Sequence, residues 1–178
     1  KLSCFLVNNL KNNYWIFSYG GCGTNYLRKI LNIFFAGYCG VPSSIHTFNP
    51  PKTEKKNFLG IYIFGDPYLS IISMINRAMH ETMQILAGKN LIYKLLDKDK
   101  SINIETVFTE YPTDILRLKS HWDNWKNAKT NYPILFIKYE TLKESIDEIL
   151  RLYKEKYNLS VRTIYKNSFK QRSSLISD

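Results

Sequence analysis

The sequence of 178 residues contains few cysteines and no long apolar segment. Its three cysteines are odd in number and show no metal-ligand spacing, so free thiols in a reducing compartment are expected. No apolar run approaches the roughly 20 residues that a membrane-spanning helix needs. The stretch from Lys1 to Leu10 lacks the apolar core of a signal peptide. Together these absences predict a cytoplasmic protein without a membrane span.

The composition is that of a basic, folded protein. Apolar residues make up 44% and aromatic residues 15% of the chain, which is typical of a globule with a substantial core. The length predicts a single domain over residues 1–178. The net charge of +10 favours an anionic partner. No run of basic residues is long enough to choose among nucleic acid, acidic glycans, an anionic membrane surface and a polyanionic cofactor.

A glycine turn between a strand and a helix is the strongest local signal. Tyr14–Phe17 is a short apolar run typical of a buried strand, and Ser18–Gly23 contains three glycines. The residues after it repeat with helical spacing: Leu27, Ile30, Leu31, Phe34 and Phe35. Such a turn points backbone N–H groups at an anion, although an ordinary turn also uses glycine for its backbone angles. The letters match neither the Walker A pattern nor G-x-G-x-x-G.

Strand and helix patterns alternate along the rest of the chain. Strands are predicted at Ser44–Phe48, at the continuous apolar run Leu59–Phe64 and at Pro133–Glu140. Helices are predicted after Pro67 to about Ala87, from Thr113 or Asp114, and from Thr141 to about Tyr157. The tryptophans of the second of these helices, Trp122 and Trp125, fit an aromatic stripe in the core. We therefore expect an α/β fold with a mostly parallel sheet flanked by helices.

Five segments in order resemble motifs of the sulfotransferases. Ser18-Tyr19-Gly20-Gly21-Cys22-Gly23-Thr24-Asn25-Tyr26-Leu27 is similar to the family's phosphosulfate loop, Ser-Tyr-Pro-Lys-Ser-Gly-Thr-Thr-Trp-Leu. Further resemblances are Ser44-Ile45-His46 to Lys-Thr-His, Ile61–Ser73 to Tyr-Val-Val-Arg-Asn-Pro…Ser, Leu135–Leu142 to the Tyr-Glu-Asp-Leu segment, and Asn167–Lys170 to Thr-Ser-Phe-Lys. His121–Trp125 also resembles the family's His…Trp helix. The family's terminal Arg-Lys-Gly…Gly-Asp-Trp loop is absent. The resemblance implies a P-loop-like, three-layer sulfotransferase fold.

The resemblance also implies a cofactor and a set of site residues. The sulfotransferase donor is 3′-phosphoadenosine-5′-phosphosulfate (PAPS), which leaves as 3′-phosphoadenosine-5′-phosphate (PAP). His46 matches the family's catalytic base. The positions that match cofactor-binding residues are Gly20, Gly21, Cys22, Gly23, Thr24, Asn25, Tyr26, Ser73, Tyr139 and Phe169. Tyr26, Tyr139 and Phe169 are expected to converge on the adenine. Cys22 is expected to be either an acidic thiol near the anion or a small residue chosen for its size.

Three positions depart from the family pattern. Gly21 replaces the loop lysine, Ser44 replaces the lysine two residues before His46, and Gly65 replaces the arginine of the 3′-phosphate motif. Other basic residues are candidates to compensate: Arg28, Lys52, Lys55, Lys56 and Arg77.

Three functions remain open on the sequence. One is a divergent sulfotransferase acting on a hydroxyl or amine of a small-molecule or glycan acceptor, with no nucleic-acid partner. A second is a non-catalytic relative that binds a nucleotide or an anionic partner. A third is a small-molecule kinase, against which the missing Gly-Lys-Ser/Thr and metal-holding Asp count.

Overall fold

A computed structural model describes residues 14–34, 46–54, 58–88, 102–110, 114 and 116–157. These residues fall into two compact units, within Lys1–Glu140 and within Thr141–Asp178, and each is described by itself. The first unit contains β1 (Tyr14–Phe17), α1 (Thr24–Phe34), β2 (Leu59–Phe64), α2 (Pro67–Asn76), α3 (His80–Ala87), α4 (Ile104–Glu110), α5 (Leu118–Lys126) and β3 (Ile134–Lys138). A 3-10 turn, Tyr139–Thr141, precedes α6 (Leu142–Tyr157), the helix of the second unit.

The three described strands form a parallel sheet in the order β1-β2-β3. Phe17 lies opposite Tyr62, and Tyr62 lies opposite Phe136. Ile61, Tyr62 and Ile63 are all inaccessible to solvent, so β2 is covered on both faces, as its continuous apolar run predicts. This confirms an α/β fold with a parallel sheet. Among the helices that the structure describes, none combines the length and apolar character needed to cross a bilayer.

Helix α5 packs on the aromatic face of this sheet. The ring centroid of Trp125 lies 4.4 Å from that of Phe17 and 5.0 Å from that of Tyr62. Trp125 is fully buried, so its predicted place in the core is confirmed. Trp122, one turn earlier, is only half-buried and lies 4.6 Å from Phe64. The two tryptophans therefore differ, since one fills the core and the other stands at its margin.

The long helix predicted after Pro67 is in fact two helices. Helix α2 ends at Asn76, and Ala78 adopts a left-handed conformation with φ of +49° before α3 begins at His80. The N–H of Met79 bonds to the Met74 carbonyl at 2.9 Å, which closes the turn without continuing the helix. Gly88, with φ of +90°, ends α3 as predicted.

Two other sequence predictions are corrected around α5. Of the predicted strand Ser44–Phe48, residues 44 and 45 lie outside the described residues, and His46–Phe48 is not a strand: the Trp125 indole donates to the Thr47 carbonyl at 3.0 Å. Helix α5 begins at Leu118, later than predicted, since Arg117 is left-handed with φ of +55°. The Asp114 carboxylate still accepts a hydrogen bond from the Ser120 N–H at 3.2 Å. It therefore satisfies one backbone donor in the first turn of the helix, although Asp114 lies four residues before the helix.

One tyrosine links the ends of two strands. The buried Tyr19, in the turn after β1, donates its hydroxyl hydrogen to the Gly65 carbonyl and accepts the Gly65 N–H at 2.8 Å. Gly65 directly follows β2, so both of its backbone groups are satisfied by one side chain. Burial raises the pKa of the Tyr19 phenol, which keeps the hydroxyl protonated and able to donate. This pair of bonds is named the Tyr19 clamp.

We expect Tyr19→Phe to lower the free energy of unfolding by about 1–3 kcal/mol, because two polar groups of Gly65 lose their partner. Urea denaturation measures the change. Tyr68→Phe is the matched control, since Tyr68 is 46% exposed, and it should change stability by less than about 0.5 kcal/mol. Equal effects of the two substitutions would mean that the Tyr19 clamp does not stabilise the fold.

Candidate functional site

The glycine turn lies at the carboxyl edge of the sheet, between β1 and the start of α1. Gly20, Gly21 and Gly23 have φ values of +108°, +70° and +76°, a region that side-chain-bearing residues rarely adopt. The Gly20 N–H bonds to the Ser18 hydroxyl at 3.0 Å, so this donor is used within the turn. The Gly23 carbonyl accepts from the N–H groups of Tyr26 and Leu27 and begins the helix. Strand, turn and helix thus follow one another as predicted.

The turn is covered by the protein's own helix α2. A Cβ atom placed on Gly21 would lie 2.8 Å from the Ser70 carbonyl oxygen, and one on Gly20 would lie 2.7 Å from the Met74 sulfur. Residues 18–22 are all buried. The glycines are therefore needed both for their backbone angles and for close contact with α2. A ligand at this turn has to approach from the side of Gly23 and Asn25, which are less buried.

Gly21→Ala should destabilise the fold by about 2–4 kcal/mol, because the methyl group meets a backbone carbonyl and the residue is left-handed. Gly88→Ala is the matched control: Gly88 has φ of +90° but nothing lies within 4 Å of its added Cβ. We expect only about 1 kcal/mol there, from backbone strain alone. Thermal or urea unfolding measures both. If the two variants lost equal amounts of unfolding free energy, the contact of Gly21 with α2 would not contribute to the effect of the substitution.

The remaining loop positions differ in their accessibility. Thr24 is buried, Asn25 is exposed and Tyr26 is half-buried in the first turn of α1. Cys22 forms no disulfide and is 1% exposed, and its sulfur lies 3.0 Å from the Gly20 carbonyl oxygen and 3.3 Å from the Ser70 hydroxyl. Its small side chain therefore fills the contact between the loop and α2.

The region predicted to bind the 3′-phosphate has a different chemistry from the family motif. A Cβ atom on Gly65 would lie 3.1 Å from the Tyr139 Cβ and 3.4 Å from a Glu140 carboxylate oxygen. A side chain at this position would need Tyr139 to shift slightly, and the nearby charge is negative. Ser73 is half-buried on α2, and its carbonyl accepts from the Arg77 guanidinium at 3.0 Å. Arg77 is thus the cation beside the predicted serine.

The structure brings Tyr139 against Gly65, but the adenine site as a whole stays a prediction. Phe169, the third aromatic residue of that site, lies outside the described residues. Tyr26 and Tyr139 are both half-buried within the first unit.

His46 lies beside the turn after β1. Its Nδ1 is 2.9 Å from the Ser18 carbonyl oxygen. Because a carbonyl can only accept, Nδ1 carries the hydrogen and Nε2 is the basic nitrogen. Burial lowers the pKa of His46, and the positive charge of Arg77 lowers it further, while the bond to Ser18 opposes both effects. The imidazole is therefore neutral near pH 7, as a general base must be.

A second histidine, to which the sequence analysis assigned no role, lies in the same cluster. His121 on α5 is fully buried, and its Nδ1 lies 2.8 Å from the Tyr62 hydroxyl. Its Nε2 is buried without a hydrogen-bond partner. Burial lowers the pKa of His121 to about 4, and the charge of His46 adds to the effect while the Thr47 backbone opposes it. The sequence signal was a histidine within an aromatic stripe, which also fits a simple core residue.

These two histidines should make the protein sensitive to acid. Both have a folded-state pKa below 6.5, so the unfolded chain binds protons more readily than the folded chain. Stability is fully present above pH 6.5 and falls as the pH decreases toward 4, by about 3 kcal/mol from His121 alone.

Urea denaturation of the wild type and of His121→Phe across this pH range measures the effect. The variant is expected to be less stable at neutral pH but to show a shallower loss of stability below pH 6.5. Parallel curves for the two proteins would contradict the role of His121.

A cavity of about 450 Å³ opens at the same edge of the sheet. Tyr19 and Gly65, the partners of the Tyr19 clamp, both line it. Most of its other walls are apolar side chains from the end of β2 and from α2 and α5: Phe64, Pro67, Ile71, Leu118 and Trp122. Carboxyl ends of parallel strands are where α/β proteins bind their ligands. No sequence pattern predicted this cavity, because its walls come from three separate segments of the chain.

Among the described residues, no cluster of three or more His, Cys, Asp or Glu side chains is placed to hold a metal ion. The chain matches no protein-family model, and comparisons with curated proteins and with solved structures find no match either. Its function is therefore inferred from the chemistry of the residues described above.

Proposed function

We propose that this chain is a divergent sulfotransferase, transferring a sulfuryl group from PAPS to a hydroxyl or amine. The observation that carries the proposal is the hydrogen bond from His46 Nδ1 to the Ser18 carbonyl at 2.9 Å. That bond fixes the tautomer in which Nε2 can accept a proton, and it places the imidazole next to the glycine turn. A lowered pKa keeps this nitrogen unprotonated at neutral pH.

His46 Nε2 takes the proton of the acceptor hydroxyl or amine, and the Ser18 carbonyl holds the ring in position. The donor supplies the sulfuryl group: as the acceptor atom bonds to sulfur, the bond from sulfur to the bridging phosphate oxygen breaks and PAP leaves. The turn at Gly23–Asn25 and the start of α1 direct backbone N–H groups to the 5′ side of the donor. Arg77, next to Ser73, supplies positive charge on α2.

A second function is favoured by a specific observation, the packing of the turn on α2. With Gly21 against the Ser70 carbonyl and the Glu140 carboxylate beside Gly65, two cationic contacts of the sulfotransferases have no counterpart. Removing one charged contact to a transition state costs several kcal/mol. A protein that binds a nucleotide or an anionic partner without catalysis is therefore the alternative.

Calorimetric titration with PAP and turnover assays with PAPS distinguish these functions. We expect PAP to bind the wild type. Gly23→Val should abolish this binding, because it places a side chain on a residue of the turn whose backbone is left-handed. Unfolding of the variant should stay cooperative. Gly88→Val is the matched control for strain outside the turn and should bind PAP normally. Absence of PAP binding to the wild type would exclude the sulfotransferase and would exclude PAP as the ligand of the alternative.

Substitution of His46 separates the enzyme from the binding protein. His46→Ala should lower turnover by about a hundredfold or more with little change in PAP affinity. His46→Asn keeps an N–H group that can bond to the Ser18 carbonyl but removes the base, so it should lose turnover equally. If neither variant changes any activity, and PAPS yields no sulfated product with a pool of hydroxyl and amine acceptors, the binding function is the correct one.

A further inference from the structure

The cavity beside the Tyr19 clamp is separate from the predicted anion contacts of the glycine turn. Gly20 and Gly21 pack against α2 on Met74 and Ser70, whereas the cavity is lined on α2 by Pro67 and Ile71. Its volume of about 450 Å³ is within the range of small-molecule sites. It belongs wholly to the first unit, so its walls are fixed by the sheet, α2 and α5.

The walls are those of a site for a flat, apolar group. The rings of Trp122 and Phe64 lie 4.6 Å apart at an angle of 45°, so they meet obliquely and do not stack flat on each other. Trp122 is only half-buried although its indole is large and apolar. Aromatic side chains of this kind bind planar ligands by offset stacking and edge contacts. The aliphatic side chains of Ile71 and Leu118 complete an apolar lining.

The charges at the cavity give an anion no net attraction. Its described charged lining residues are Lys119 and Asp114, whose charges cancel. The Lys119 ammonium is also paired with the Asp123 carboxylate at 2.6 Å, outside the lining. The described lining therefore offers no unpaired positive charge to compensate a polyanion such as PAPS.

We propose that this cavity binds an uncharged, planar aromatic molecule between Trp122 and Ile71. The site stands on its own geometry and holds whether or not the chain transfers sulfuryl groups. Tyr19 lines the cavity and is held in place, because its hydroxyl is hydrogen-bonded to Gly65.

The test uses 2-naphthol, which is uncharged at pH 7, and naphthalene-2-sulfonate, which has the same ring system and a negative charge. Binding to the full chain is measured by calorimetry and by ligand-observed NMR. We expect saturable binding of 2-naphthol at one site, and binding of the sulfonate at least about tenfold weaker. No saturable binding of 2-naphthol, or equal or tighter binding of the sulfonate, would overturn the proposal.

A pair of matched variants locates the ligand. Ile71→Trp fills the cavity from α2 and should weaken 2-naphthol binding at least about tenfold. Ile85→Trp makes the same change on α3 at a residue that is 52% exposed and does not line the cavity, and it should leave binding unchanged. Circular dichroism confirms that both variants are folded. If Ile71→Trp misfolds, Lys119→Met gives a second measure: removing the ammonium should leave 2-naphthol affinity within about twofold, and a larger loss would show that the ligand depends on charge.

Titration of Ile71→Trp with PAP tests whether PAP and the aromatic ligand bind at different sites. Because the cavity is separate from the turn, the variant should bind PAP as the wild type does. A loss of PAP affinity together with naphthol affinity would place both ligands in one site and would refute the separation argued here.

Discussion

The parallel pairing of β1 with β2 is the constraint on which the candidate site depends. Because Phe17 lies opposite Tyr62 and the strands run in the same direction, the residues that follow both strands emerge at one edge of the sheet. The Tyr19 clamp then fixes the distance between these two exits. His46 bonds to Ser18 just before Tyr19, and the cavity opens at Gly65 just after β2. The positions of His46, the glycine turn and the cavity thus all depend on one strand pairing.

The same close packing accounts for two of the departures from the sulfotransferase pattern. At Gly21 a side chain would meet the Ser70 carbonyl, and at Gly65 it would meet Tyr139. These are the positions where the family carries a lysine and an arginine. Two separate contacts are involved: Gly21 packs against α2, and Gly65 packs against the turn after β3. A side chain at Gly21 would require the α2 backbone to shift, and one at Gly65 would require Tyr139 to shift slightly.

Sequence patterns predicted the parts of the fold that local chemistry determines. The bounds of β1 and β2 were predictable, because a short, continuous apolar run is typical of a strand in a buried parallel sheet. Helix α6 was also predictable, from its start and its length. Where the sequence patterns were wrong, a specific contact that the patterns do not encode decides the local structure.

His46–Phe48 shows this clearly: it lies in a segment predicted as a strand, yet the Trp125 indole and the Ser18 carbonyl hold it as an irregular segment. The break between α2 and α3 has a similar origin. Ala78 favours helix intrinsically, but the turn closed by Met79 directs α3 so that Met83 and Leu86 are buried. For the candidate site, sequence identified His46 and the glycine turn but not the partner of either. Partners such as Ser18, Ser70 and His121 depend on packing between segments that are far apart in the chain.

The positive charge of this protein affects the protonation of its two buried histidines, His46 and His121. A chain of net charge +10 attracts anions, and positive charge also lowers the proton affinity of any histidine near it. For His46, burial and the charge of Arg77 both favour the neutral imidazole, and His121 is held neutral chiefly by its burial. Neither histidine can take up a proton without making protonation of the other more costly. Both imidazoles are therefore neutral near pH 7, and protonating either one in acid costs the folded state stability.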